Sequence, residues 1–127
     1  MSEYPIRVLH IVGSMHPGGM ENFIMNLYRN IDRNKVQFDF VVHMENDPDY
    51  AQMISDLGGH VYLLPRLTSK PFANLRQLYR LVKDNHYPVV VRHTPNALAV
   101  PQVLAAKKGG AVSACHSHNT TTAAGNI

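Results

Sequence analysis

Short apolar runs alternate with stretches of helical periodicity along the whole chain, and few folds accommodate that rhythm. Val8–Val12 reads as a buried strand, and Ile24, Leu27, Tyr28 and Ile31 follow at helical spacing. Phe38–Val42 is the next apolar run. A short helix is expected from Tyr50 to Leu57, with Asp47 or Asp49 as its cap and Gly58-Gly59 just past its end. Val61–Leu64 is a third strand, stopped by Pro65. Leu75, Leu78, Tyr79 and Val82 mark a helix near residues 72–85. Val89–Val91 is a fourth strand between Pro88 and Pro95. Residues 97–108 read as helical, which places Pro101 in the first turns, where a missing N–H costs least. Val112–Cys115 is a fifth strand. Strand and helix in strict turn imply right-handed crossovers and a parallel sheet with helices on both faces.

Composition narrows the class. At 127 residues there is room for one domain, and 45% hydrophobic with 17% charged residues is the balance of a globular chain. No apolar run approaches the length needed to cross a bilayer. The start, Met1-Ser-Glu-Tyr-Pro5, lacks the apolar core of a signal peptide, and the single cysteine, Cys115, has no internal partner. A cytoplasmic location is expected, with the inner face of a membrane as one site within it. The net charge of +3 permits an anionic ligand or surface. Basic residues are not interleaved with aromatics as nucleic-acid binding would need. Arg76, Arg80 and Lys83 share one face of the expected 72–85 helix: a solvated face, or a contact for anionic lipid.

The loop after the first strand carries chemistry. It reads Gly13-Ser-Met-His-Pro-Gly-Gly-Met-Glu21. Gly13 and Gly18 have the spacing of a P-loop, but Gly19-Met20 stands where Lys-Ser/Thr would hold the terminal phosphates and magnesium, which excludes an ATPase or kinase of that type. Met15 stands at the third position of the dinucleotide pattern counted from Gly13, where a glycine is needed, and His43 stands where that pattern expects an acid. Two readings remain: a tight turn without a ligand, or a helix start opened by Gly18-Gly19 whose free N–H groups receive an anion.

Histidines gather at strand ends. His10 lies inside an apolar strand and is a core or sheet-edge residue. His16 is in the glycine loop, His93 closes the fourth strand, and His116 and His118 close the fifth. A His-x-His pair with His93 could bind a metal, as in a hydrolase, but no Asp or Glu lies beside it. A polar contact, or a weak acid or base, for a hydroxylated ligand is the better account.

Arg7-Val-Leu-His-Ile-Val12, Gly18-Gly-Met-Glu21-Asn-Phe, Arg92-His-Thr-Pro-Asn96-Ala and His116-Ser-His-Asn119 in this order resemble the N-terminal part of glycosyltransferase family 4, whose retaining enzymes have the two-domain GT-B fold. The nearest flavour is bacterial capsular or exopolysaccharide biosynthesis. The resemblance covers residues 1–127 and implies an incomplete, Rossmann-like N-terminal half on the acceptor side of a cleft, with the C-terminal donor domain absent. It implies transfer of a sugar from a nucleotide-sugar donor to a saccharide or lipid-linked acceptor. Gly18 and Gly19 match the loop that approaches the donor diphosphate and the acceptor. His116 matches the histidine near the transferred sugar, a catalytic position. His16, Glu21, His93, Asn96 and His118 lie in the matching segments as donor-diphosphate or acceptor contacts. No metal or other cofactor is implied, because protein groups stabilise the diphosphate leaving group.

This sequence also departs from the family. The segment usually written His-x-His-x-Pro has Val91 for its first histidine. The acidic donor-binding motif of the C-terminal domain has no counterpart here. The isolated chain is therefore expected to be inactive, as a fragment of a glycosyltransferase. The alternative is a stand-alone binding or accessory subunit derived from such a domain, and a metal-dependent hydrolase is the remoter one.

Overall fold

A computed structural model describes residues 5–12, 19–44, 48–93 and 99–116. The elements are β1 (Ile6–Ile11), α1 (Gly19–Asn30), β2 (Val36–Val42), α2 (Pro48–Asp56), β3 (Val61–Leu63), α3 (Pro71–Asn85), β4 (Val89–His93), α4 (Ala99–Lys108) and β5 (Val112–His116). All strand pairs are parallel, in the order β3-β2-β1-β4-β5. The expected Rossmann-like α/β sheet is the observed one.

The two faces bury separate cores, as the strand period of two requires. Val8 of β1 and Val12 just after it, with Phe38, Phe40 and Val42 of β2, pack under Ile24, Met25 and Tyr28 of α1 and Ile54 of α2. Leu9 and Ile11, with Val41 and Val90, pack under Leu78 and Val82 of α3 and Ala106 of α4. Helices therefore lie on both faces, α1 and α2 on one and α3 and α4 on the other.

Local chemistry explains most boundaries. Pro71 opens α3 and Pro101 is the third residue of α4, positions whose N–H would have no helical partner. Asp49 lies inside the first turn of α2, so it is not the cap; Asp47 is outside the described residues. After α2, Gly58 takes φ +98°, and the next glycine is demanded by space. A Cβ on Gly59 would stand 2.5 Å from the Phe38 carbonyl oxygen and 2.6 Å from Tyr28 Oη.

One charge is buried in the sheet. Asp39 accepts from Arg7 at 2.7 Å, from the His60 backbone N–H at 2.9 Å and from the Tyr87 hydroxyl at 2.5 Å. Burial, then the hydrogen bond to Asp39, holds the Tyr87 hydroxyl protonated far above its ordinary range. This cluster joins β1 and β2 to the loops before β3 and β4.

Candidate functional site

The strand order creates one topological switch. β1 and β4 are neighbours, yet α1 follows β1 on one face and α4 follows β4 on the other. Chains diverging from adjacent carboxyl ends leave a crevice, the place where open α/β sheets bind ligands. The glycine loop leaves β1 there, and the His93-Thr-Pro segment leaves β4 there.

On the α1 side of this edge, two histidines pair. His10 Nδ1 lies 2.9 Å from His93 Nε2. The His10 ring is tilted against Phe38, centroids 4.1 Å apart, and stacked near Phe40 at 5.5 Å. Among the described residues its buried Nε2 has no hydrogen-bond partner. An orphaned lone pair is less costly than an orphaned N–H, so the proton belongs on Nδ1, donated to His93. Burial, then the field of His93, lowers the His10 pKa from 6.5 to about 3. His10 is a neutral strut that orients His93. His93 is itself buried at the end of β4 rather than standing in open solvent.

On the α3 side, a chain of hydrogen bonds runs along the same edge. Asn74 Nδ2 donates to the Pro65 carbonyl at 2.7 Å, and Asn74 Oδ1 accepts from Gln102 Nε2 at 3.0 Å. Gln102 Oε1 accepts from Arg92 Nε at 2.6 Å, and Arg92 Nη1 donates to the His93 carbonyl at 3.1 Å. Each donor and acceptor in this run fixes the next, so neither amide can be flipped without breaking two bonds. Gln102 Nε2 also lies 3.2 Å from His43 Nε2, which must accept. Asn74 Nδ2 also lies 3.4 Å from His43 Nδ1, and a neutral ring accepts at only one nitrogen, so the shorter contact, from Gln102 to Nε2, favours the Nδ1–H tautomer. Burial lowers its pKa, and the fields of Arg92 and Arg66 add to that, against a hydrogen bond with the Leu64 backbone. The network locks the carboxyl ends of β2, β3 and β4 to the helices α3 and α4.

Sequence reading missed Asn74 and Gln102. Both are fully buried at positions in phase with the apolar stripe: Asn74 precedes Leu78 and Val82 at spacings of four, and Gln102 precedes Ala106. A polar residue on the core phase of a helix is the signal that would have found them.

The other expected site residues fall as follows. Gly19 begins α1, and Glu21 lies half-buried in its first turn, where a carboxylate complements the helix dipole. His116 is the last residue of β5, in register with His93 on β4. His16, Gly18, Asn96 and His118 lie outside the described residues. Val91 pairs in register with His10. Among the described residues no group of three His, Cys, Asp or Glu side chains is placed to hold a metal.

The family description Glycosyltransferase Family 4 matches residues 17–125, which include the glycine-loop helix start, the β4 end and the β5 end. The chain belongs to Glycosyltransferase Family 4. Within the family it resembles a protein of Bacillus subtilis (strain 168) named "Putative glycosyltransferase EpsF", 37% identical over 117 residues. That match takes in 91% of this chain and 30% of the relative, so the chain spans under a third of that protein's length. No solved structure matches significantly.

Beside the switch, the family domain carries an open cavity of about 760 Å³ at the carboxyl ends of β2 and β3. His43, Met44, Leu63, Arg66 and Lys70 line it, and the buried amide run forms its back wall through Pro65.

Proposed function

We propose that this chain is the acceptor-side part of a retaining GT-B glycosyltransferase that moves a sugar from a nucleotide-sugar donor to a saccharide or lipid-linked acceptor in cell-surface polysaccharide synthesis. The observation that carries the reading is the family match over residues 17–125, which takes in the start of α1 and the whole segment that leaves β4 at the β1–β4 switch. The first N–H groups of α1 and its dipole would face a developing diphosphate anion, with Gly18 and Gly19 allowing close approach. His93, held by His10 and by the amide run behind it, and His116 beside it in register would contact sugar hydroxyls. His116 would be the residue nearest the transferred sugar. Glu21, His16, Asn96 and His118 are carried as further donor or acceptor contacts.

The donor half would come from sequence outside these 127 residues, so the chain alone would be inactive. A cytoplasmic location, at the inner face of a membrane, fits the same reading. Arg76, Arg80 and Lys83 are exposed or partly exposed on α3, and Phe72, at 85% exposure, stands at its start. That combination of cations and an apolar side chain suits an anionic lipid surface. Among the described residues no helix is long and apolar enough to cross the membrane.

The test compares the gene-encoded protein with the 127-residue chain, each given sugar nucleotides and acceptor saccharides. Transfer by the first and none by the second is expected. Turnover by the short chain, above a control with Gly19→Val and His116→Ala, would overturn its inactivity. Failure of the gene-encoded protein to consume any sugar nucleotide would overturn the transferase reading.

A further inference from the structure

We propose that His10 is a positioning residue for sugar transfer: it fixes the tautomer of His93, so that His93 meets the substrate as a hydrogen-bond donor and not as an acid or base. This rests on the transferase reading and names what one residue of that site does.

Strand register brings the two rings together. His10 on β1 pairs with Val91 on β4, and His93 lies two residues further along β4, on the same face of the sheet. Arg92 Nη1 donates to the His93 carbonyl at 3.1 Å, and His10 Nδ1 meets His93 Nε2 at 2.9 Å, so backbone and ring are each tied. The ring planes differ by 22° and the centroids are 5.2 Å apart, the arrangement of two imidazoles meeting edge to edge. In that arrangement the N–H of one ring points along the in-plane lone pair of the other. His10 is itself buried, so its influence on a substrate passes through His93.

The surroundings of His10 decide which ring donates. It packs against Phe38 and Phe40, and among the described residues its buried Nε2 has no polar partner. With the proton on Nδ1, Nε2 keeps a bare lone pair. With the proton on Nε2, a buried N–H goes unpaired, which holds that form to about a tenth of the molecules or fewer. His93 Nε2 is therefore the acceptor, and a neutral imidazole has one N–H, so the proton of His93 is on Nδ1. Action as a base would need that Nδ1 bare, and action as an acid would need both nitrogens protonated. Either form puts a proton on His93 Nε2, which drives the His10 proton to its own buried Nε2. What His93 offers without that rearrangement is an N–H, a donor to the lone pair of a sugar hydroxyl oxygen.

The experiment joins 15N spectra of the histidine rings to rates of sugar transfer, both on the gene-encoded protein, with the sugar nucleotide and acceptor saccharide that it turns over. The His93 signals, assigned by their loss in His93→Ala, should show a protonated Nδ1 and a bare Nε2. His10→Asn keeps an N–H where Nδ1–H stands, whereas His10→Gln carries its amide out to the position of Nε2. His10→Asn should keep kcat within about threefold, while His10→Gln and His10→Phe lose about tenfold or more. His93→Asn keeps a donor and has no basic nitrogen, so it should stay about fivefold or more above His93→Ala. Gly59→Ala, destabilised at the amino end of the sheet, should keep kcat, which separates lost stability from lost position. Circular dichroism melting verifies that each variant folds; should His10→Asn fail to, the 15N spectrum and the two His93 variants decide without it. A bare Nδ1 on His93 overturns the assignment, and so does an unchanged kcat in His10→Phe. Equal losses in the three folded His10 variants overturn the positioning role, and equal losses in His93→Asn and His93→Ala overturn the donor. In each of these cases, transfer by the unaltered protein leaves the transferase reading standing. If the unaltered protein consumes no sugar nucleotide with any acceptor, the transferase reading falls and this role falls with it.

Discussion

His10 sits between Phe38 and Phe40 with its pKa drawn down from 6.5 to about 3, and the sign of the consequence is fixed. Below pH 6.5 the unfolded chain takes up a proton that folded His10 refuses. Stability is fully present above 6.5 and is lost as the pH falls towards about 3, at up to about 1.4 kcal/mol per pH unit from one such group. His43, lowered for the same first reason, acts in the same direction. His10→Phe, which keeps an aromatic ring among aromatic neighbours, should remove one group's share of that slope; urea unfolding at several acidic pH values measures it. Gly59 makes a second prediction at this scale. Because its Cβ would meet a backbone oxygen and a buried hydroxyl, Gly59→Ala should cost about 1–3 kcal/mol, read as a lowered urea midpoint. Neither residue's role was legible in the sequence. His10 was assigned to the core without its partner, since a contact between residues 83 apart is set by strand order. Gly59 read only as the end of a helix, because the atoms that crowd it come from β2 and α1.

At the level of elements, the inner strands β2, β1 and β4 were legible because parallel strands covered on both faces must be largely apolar runs. Helix ends were less so. Asp49 was a cap candidate by type, but α2 starts at Pro48, which pre-sets the helical φ and moves Asp49 into the first turn. The amide run was missed because stripe reading counts apolar residues, and Asn74 and Gln102 occupy stripe positions while bonding to each other. Their value lies in joining α3 and α4 to the ends of β2 and β4. Gln102→Ala would leave Asn74 Oδ1 and Arg92 Nε without these partners in a site from which water is largely excluded. A loss of about 2 kcal/mol or more is expected in denaturant unfolding. If the run also sets the site, sugar transfer by the gene-encoded protein should lose rate at saturating substrate as well as affinity, since His93 would lose its carbonyl tether through Arg92.

For the molecule as a whole, the unequal covering of the sheet matters most. α1 and α2 cover β1 and β2 on one face, but the same face of β5 carries Val112 at 70% exposure and exposed Ala114. Among the described residues no helix packs over them, while α4 covers the other face of β4 and β5. Apolar sheet open to water drives association once chains meet. The 127-residue chain should therefore bind an apolar dye and self-associate at concentrations on the order of tens of micromolar. Val112→Thr with Ala114→Thr keeps the preference for strand while making the face polar, and should return sedimentation to that of a monomer with a nearly unchanged melting temperature. Association that persists in this double variant would move the cause to the other exposed apolar group, Phe72 with Val100 and Leu104 on α3 and α4. A loss of melting temperature instead would mean that Val112 and Ala114 stabilise the fold from a face the solvent reaches, which their exposure argues against.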